Sequence, residues 1–278
     1  MDSRTTEANC VNIMGSCRSA DLRRFAESGP VEKLSLTKMP LLTERIARGF
    51  RSFQSVDQLW LWCDITRTAM RHAVSIPGLR VFDVLDIVKP GRLEGFSAAS
   101  TLEEFRANCS LSADDIMEVC RCPSLRELGA QGAELSAQII SALLQLSRLA
   151  SLDVEASCFD DAMAAQLSAS TSITSLSIGA TAISRVGLAH LCKMKQLRQL
   201  DLWATSIAES DLVLLAELPE LEYVSVGGYE HLPSMQAATL LPHLYAIPSL
   251  KQLWLDGVDL TPSQRNELAA RYRYLRIT

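Results

Sequence analysis

The sequence predicts an α/β protein built from one short strand–helix unit repeated along the chain. Three observations carry that reading. From Ile173 onward, two consecutive 24-residue segments follow one pattern, ITSLSIGATAISRVGLAHLCKMKQ and LRQLDLWATSIAESDLVLLAELPE. In both, apolar residues fall at positions 1, 4, 6 and 11: Ile173, Leu176, Ile178 and Ile183, then Leu197, Leu200, Leu202 and Ile207. A second apolar set follows, Leu188 and Leu191 in one copy and Leu212, Leu215 and Leu218 in the other. The first set has the period of a strand and the second that of a helix. A unit this small cannot bury its own apolar face, so copies must stack.

The copies extend over most of the chain. Residues 1–30 read as an N-terminal cap, with Val11 and Ile13 as inward strand residues and a short helix from Asp21 to Glu27 closed by Gly29-Pro30. Full copies start at Val31, Val56, Leu79, Leu102, Leu125, Leu149, Ile173, Leu197, Leu221 and Leu250, spanning residues 31–261. Eight of the nine steps between them are 23 to 25 residues, and the last, from Leu221 to Leu250, is 29. The extra length falls within 227–249, where Gly227-Gly228, Tyr229 and the prolines fit a protruding loop, often the binding face of an array. A longer helix without a contact role fits equally. Residues 262–278 supply a helix from Pro262 and a last half-strand with Leu275 and Ile277, a C-terminal cap that completes a single solenoid domain.

The pattern LxxLxLxx(T)x(I/L) followed by an amphipathic helix resembles the leucine-rich-repeat family, most clearly in the copies at 173, 197 and 250. Repeats of 23–25 residues are similar to the ribonuclease-inhibitor-like and bacterial types. The resemblance implies a horseshoe with a parallel sheet on its concave side and helices on its convex side. Position 9, often Asn in the family, is Thr181 and Thr205 in the clearest copies.

If positions 1, 4 and 6 point inward, positions 3, 5 and 7 point to solvent. All four tryptophans of the chain, Trp60, Trp62, Trp203 and Trp254, lie in those outward columns. Tryptophan is costly to leave in water and is enriched in binding hot spots. The alternative is that the rings lie flat across neighbouring strands and stiffen the sheet. The same columns hold seven acids, Asp83, Glu104, Glu127, Asp153, Glu155, Asp201 and Asp256, against two bases, Lys33 and Arg106. With Tyr223 and the loop residue Tyr229, these form the candidate partner-binding set. Strands about 4.8 Å apart make the face of ten copies on the order of 45 Å long, the size of a protein domain rather than a metabolite.

Composition sets further limits. A hydrophobic fraction of 48% with 21% charged residues describes a folded chain, and a net charge of −5 argues against a nucleic-acid partner. No apolar run reaches the length of a membrane span, and MDSRTTEANC has no charged-then-apolar leader pattern. The eight scattered cysteines suit small buried positions in a reducing compartment, so a cytoplasmic location is expected. His72, His190, His231 and His243 fall in no catalytic or metal motif, and Cys120-Arg-Cys122 lacks the partner pair of a zinc site. No cofactor, metal or small-molecule substrate is implied. A shallow open sheet is poor at excluding water, which argues against catalysis. The expectation is a non-enzymatic interaction module that binds a basic protein on its acidic, Trp-bearing face, most concretely an inhibitor or immunity-type protein. The alternative is an adaptor or secreted effector, which would need a second docking surface.

Overall fold

The computed structural model describes residues 9–88, 93–228 and 235–278. The chain divides into two compact units, Met1–Gln131 and Gly132–Thr278.

The first unit runs β1 (Cys10–Met14), α1 (Ser19–Glu27), β2 (Lys33–Thr37), α2 (Glu44–Ala47), β3 (Gln58–Thr66), α3 (Arg67–Ala73), β4 (Val81–Val88), β5 (Glu104–Ala107), α4 (Ala113–Val119) and β6 (Glu127–Ala130). Single 3₁₀ turns at Arg48–Ser52 and Phe96–Ala98 take part in the return segments. The six strands pair in parallel and in sequence order. Their register aligns the same repeat position from strand to strand, Cys10 with Lys33, Lys33 with Gln58, Gln58 with Val81, Val81 with Glu104, and Glu104 with Glu127. Two of these repeats carry Phe82 and Phe105 where others carry leucine. The rings meet at 5.6 Å between centroids, Phe96 joins edge-on at 5.0 Å, and the small Ala107 next along β5 makes room for them.

The second unit runs α5 (Ala137–Leu143), β7 (Ser151–Asp153), α6 (Asp161–Leu167), β8 (Ser175–Ser177), α7 (Arg185–Leu191), β9 (Gln199–Asp201), β10 (Tyr223–Gly227), β11 (Met235–Gln236), α8 (Ala237–Tyr245), β12 (Gln252–Asp256), β13 (Val258–Asp259), α9 (Pro262–Arg271) and β14 (Tyr274–Ile277). Strands β7, β8, β9, β10, β12 and β14 form a parallel sheet in that order. The short β11 pairs with β13 beside it. Between β9 and β10 the return segment Glu209–Glu217 is a 3₁₀ helix. Its buried Leu212 and Leu215, with Leu218 just after it, recur every third position, which is the 3₁₀ period and not that of the α-helix expected there.

Each of the ten repeat strands begins two residues after the predicted start of its copy, at position 3. All residues at positions 1, 4 and 6 are buried, none more than 7% exposed. Each buried leucine or isoleucine contributes roughly 1.5–3 kcal/mol, so these three columns are the main stabilising term. What ends most strands is a left-handed residue at position 8. Lys38, Gly132, Ala156, Ala180, Ala204 and Gly257 all sit there with φ between 53° and 67°. At position 9 the Thr181 hydroxyl donates to the Ile178 carbonyl at 2.6 Å and Thr205 to Leu202 at 2.7 Å, so threonine satisfies the turn locally. Position 8 of the copies at Val56 and Leu79 is Cys63 and Asp86, neither in a left-handed conformation. There the strands run on, β3 to nine residues and β4 to eight, with a register shift between Leu61 and Asp64.

Return segments are tied to their neighbours. In the second unit Asp161 reaches the next repeat, accepting from the Ser184 amide at 2.8 Å and the Gly187 amide at 3.0 Å and from the Ser184 hydroxyl. In the first unit Arg67 pairs with the buried Asp115, which also accepts from the Ser112 amide and so caps α4. His72 is buried 3.6 Å from Glu44, and burial together with the Arg51 charge holds its pKa down. All eight cysteines are free thiols; Cys17, Cys63, Cys122 and Cys192 are buried and Cys158 is exposed.

Candidate functional site

The alternation forced by burial of positions 4 and 6 leaves one side of each sheet to solvent, carrying the columns at positions 3, 5 and 7. In the first unit, Lys33 lies over the Trp60 ring at 4.4 Å, and Trp60 Nε1 donates to Gln58 at 3.3 Å. The register then sets Trp60 beside Asp83 and Asp83 beside Arg106. Arg106 donates to Glu127 from Nε at 2.7 Å and from Nη2 at 2.5 Å, and to Glu104 at 3.3 Å. Its stem lies across Gly129, where a Cβ would come within 3.1 Å of Arg106 Cγ. Burial raises the Asp83 pKa, with the Arg106 charge pulling the other way. Trp62, by contrast, is 56% exposed, and Leu85 at the same position of the next strand is 41% exposed. Both are apolar side chains left to solvent.

In the second unit the register aligns Asp153, Ser177 and Asp201 side by side. Asp153 and Asp201 accept from the backbone two residues on, the Glu155 amide at 3.0 Å and the Trp203 amide at 2.8 Å, an Asx-type turn that ends each strand. Ser177 donates to Glu155 at 2.6 Å. Gly179 keeps the space open, since a Cβ there would meet the Trp203 carbonyl at 3.0 Å and Glu155 at 3.5 Å. Asp201 and Glu155 both have raised pKa values, first by burial and then by crowding with Asp153. Burial, with Asp201 nearby, pushes the Tyr223 phenol up to about 12. No lysine or arginine occupies the outward columns of β7 to β10.

At the far edge of that sheet, Trp203 Nε1 donates to Asp256 at 2.9 Å, and the Thr278 hydroxyl bonds the same carboxylate. Arg276 of β14 stacks on Trp254 at 3.9 Å. The outward columns therefore extend one strand beyond the ten copies, and that strand adds a base to a face read from sequence as having two. Trp60, Trp203 and Trp254 are half-buried and held by lateral contacts, so those three rings pack across the sheet while Trp62 stands clear. Tyr229 lies outside the described residues, as does part of the 227–249 segment.

No family model matches the chain, and no curated protein sequence does. Solved structures do. The chain is similar to an internalin, InlF from Listeria monocytogenes, at 17% identity and a TM-score of 0.58, over 97% of this chain and 82% of the internalin. It is also similar to TLR13, solved as a complex with ssRNA13, at 17% identity and a TM-score of 0.52, over 94% of this chain but 38% of TLR13. Both are leucine-rich-repeat proteins. The chain has the leucine-rich-repeat fold.

Within the leucine-rich-repeat frame, the partner set read from sequence separates into two groups. Trp60, Trp62, Asp83, Glu104, Arg106 and Glu127 share the open face of the first unit. Asp153, Glu155, Asp201, Trp203, Tyr223, Trp254 and Asp256 share that of the second. Sequence reading passed over Leu85 as a contact residue, Arg276 as a member of the face, and Ser177 as the donor to Glu155. The repeat columns contained Leu85 and Ser177, but only side-chain geometry gives them a role. Among the described residues no group of three or more His, Cys, Asp or Glu side chains could hold a metal ion, and no helix is long and apolar enough to cross a membrane.

Proposed function

We propose that this leucine-rich-repeat chain is a non-enzymatic protein-binding module whose open sheet face takes a basic protein surface, acting as an inhibitor that covers its partner. The observation that carries the reading is the row Asp153, Ser177, Asp201 with Glu155 beside it: half-buried carboxyls crowded together, in columns without a lysine or arginine. A cation brought by a partner relieves that crowding, and complementary charge steers encounter. In the first unit, the exposed Trp62 and Leu85 offer a separate apolar contact for a protein partner.

The test is affinity capture from cells of the protein's own source with wild type, Trp62→Ala and Asp153→Asn/Asp201→Asn as baits, in low and high salt. Trp62 is more than half exposed, so its loss changes stability by under about 0.5 kcal/mol. At a hot spot it weakens binding by more than about 2 kcal/mol. A basic protein held by wild type, released by salt and lost from both variants, is the expected result. Partners of acidic character, or partners indifferent to both changes, would overturn the reading.

A further inference from the structure

The return segments of the first unit carry a charge opposite to that of the sheet face. Residues 18–27, 43–52 and 67–73 together hold eight arginines, no lysine and three acids, in a chain whose net charge is −5. These segments pack on one another. The 3₁₀ turn at Arg48–Ser52 lies so close to α1 that a Cβ at Gly49 would meet Leu22 Cβ at 2.8 Å and the Ser19 carbonyl at 2.9 Å, and α2 packs on α3. Two of the arginines are used within the unit, Arg18 on Asp21 and Arg67 on Asp115. Three others gather where α2, the turn and α3 meet. Glu44 accepts from Arg71 at 2.6 Å and from Arg48 at 3.2 Å. Arg51 adds its charge to burial in holding down the pKa of His72, the residue next to Arg71.

Glu44 is thus one carboxylate among three guanidiniums, with Glu94 more distant at 3.9 Å from Arg71. The cluster is open to solvent. The Arg48 side chain is 62% exposed and that of Arg71 45%, and Arg51 is exposed without an ion pair among the described residues. Exposed cations of the second unit, by contrast, are matched with single carboxylates: Arg185 with Asp211 at 2.7 Å, Arg198 with Glu220 at 2.8 Å and Lys251 with Glu222 at 2.8 Å. How Glu44 is held shows what the cluster takes. Hydrogen bonds, first from Arg71 and then from Arg48, bring its pKa down to about 2, so a carboxylate set between these forks stays ionised.

We propose that this arginine cluster is a second docking surface, which takes an acidic segment of a partner protein, its carboxylates on Arg48, Arg51 and Arg71. Planar guanidinium forks bind carboxylates bidentately, where lysine would act only as a point charge. The surroundings favour protein carboxylates over phosphates. No large apolar side chain of these segments is exposed to enter a lipid layer, and no aromatic ring of theirs is exposed to stack a base. Beyond the cluster, a net charge of −5 repels an extended polyanion. The surface is independent of the sheet-face reading, since it lies on the return segments and takes a partner of opposite sign.

The experiment titrates the full chain with a fluorescein-labelled peptide alternating alanine and glutamate, followed by anisotropy and by amide hydrogen exchange. The acidic peptide is expected to bind in low salt and to protect residues 44–73 from exchange. It should bind at least about fivefold more weakly to Arg51→Gln, a change at an exposed side chain that leaves the Glu44 pairs intact. Arg198→Gln removes the same charge from an arginine already paired with Glu220 and should leave binding unchanged. A matched alanine–lysine peptide should not protect residues 44–73. Absence of acidic-peptide binding, equal weakening by the two substitutions, or binding without protection of residues 44–73 overturns the proposal. Tighter binding of a DNA duplex of about twenty base pairs, or of phosphatidylserine vesicles, overturns it in favour of a phosphate surface. A concentration-dependent dimer by sedimentation that Arg51→Gln abolishes overturns it in favour of an interface between copies.

Discussion

Replacing Asp201 by Asn should make the protein more stable at neutral pH, which is the reverse of what loss of a hydrogen-bonded side chain normally does. Asp153 and Asp201 share a register position two strands apart, which puts them roughly 10 Å from each other at the usual strand spacing. At an effective dielectric near 20, two like charges at that distance repel by about 1–2 kcal/mol. Counter-ions with a Debye length of about 8 Å at physiological salt reduce this to roughly 0.5 kcal/mol. Glu155 adds a second like charge, and burial disfavours the Asp201 carboxylate further. An asparagine oxygen can still accept from the Trp203 amide, now 2.8 Å from Asp201, so the turn is kept. Asp201→Asn is therefore expected to gain on the order of 1 kcal/mol at pH 7.5 in low salt, a rise in Tm of about 2–4 °C.

The pH dependence has a definite sign. A carboxyl whose folded pKa is raised leaves the native state relatively more stable when protonated, so the wild-type penalty is present at neutral pH and disappears as pH falls through the raised folded value. Wild type and variant should converge in acid and in high salt. Thermal unfolding by circular dichroism at pH 7.5 and pH 4, each at two salt concentrations, reads all four corners. A loss of more than about 1 kcal/mol at pH 7.5 would refute the reasoning, because the hydrogen bonds that Asp201 accepts from the Trp203 amide and the Ser225 side chain would then outweigh repulsion. A measured gain would support the proposed binding role of the cluster. Stability given up at one spot of a regular array is a common mark of a binding surface.

Two further predictions concern the frame. Ala180→Gly removes a Cβ from a residue held at φ 53° and should stabilise the chain by up to about 1 kcal/mol, read as a higher unfolding midpoint; no change would mean the turn relaxes without cost. Arg67→Leu leaves the buried Asp115 without its partner and should cost about 3 kcal/mol. Because Arg67 helps hold the Asp115 pKa down against burial, that loss should shrink as pH falls through the carboxylate range, where the native pair is itself lost.

The sequence by itself determined the repeat frame, because burial of a strand face imposes a period of two on any chain and the 23–25-residue step fixes where each strand recurs. Every repeat strand starts where the apolar columns put it, and Leu176 or Leu200 could be assigned inward without coordinates. Tertiary structure decided the rest through contacts between residues far apart in sequence. Trp203 reaches Asp256 across 53 positions, and Arg276 covers Trp254 from a strand read as a cap. Outward placement was legible for all four tryptophans, but exposure was not, since a ring's burial depends on which neighbour lies beside it. The left-handed position 8 was present in sequence as a run of Gly and Ala, yet Lys38 occupies it as well, so only backbone geometry separates a strand that stops there from β3 and β4, which continue. Local periodicity fixes which side a residue faces. Long-range packing fixes what it meets there.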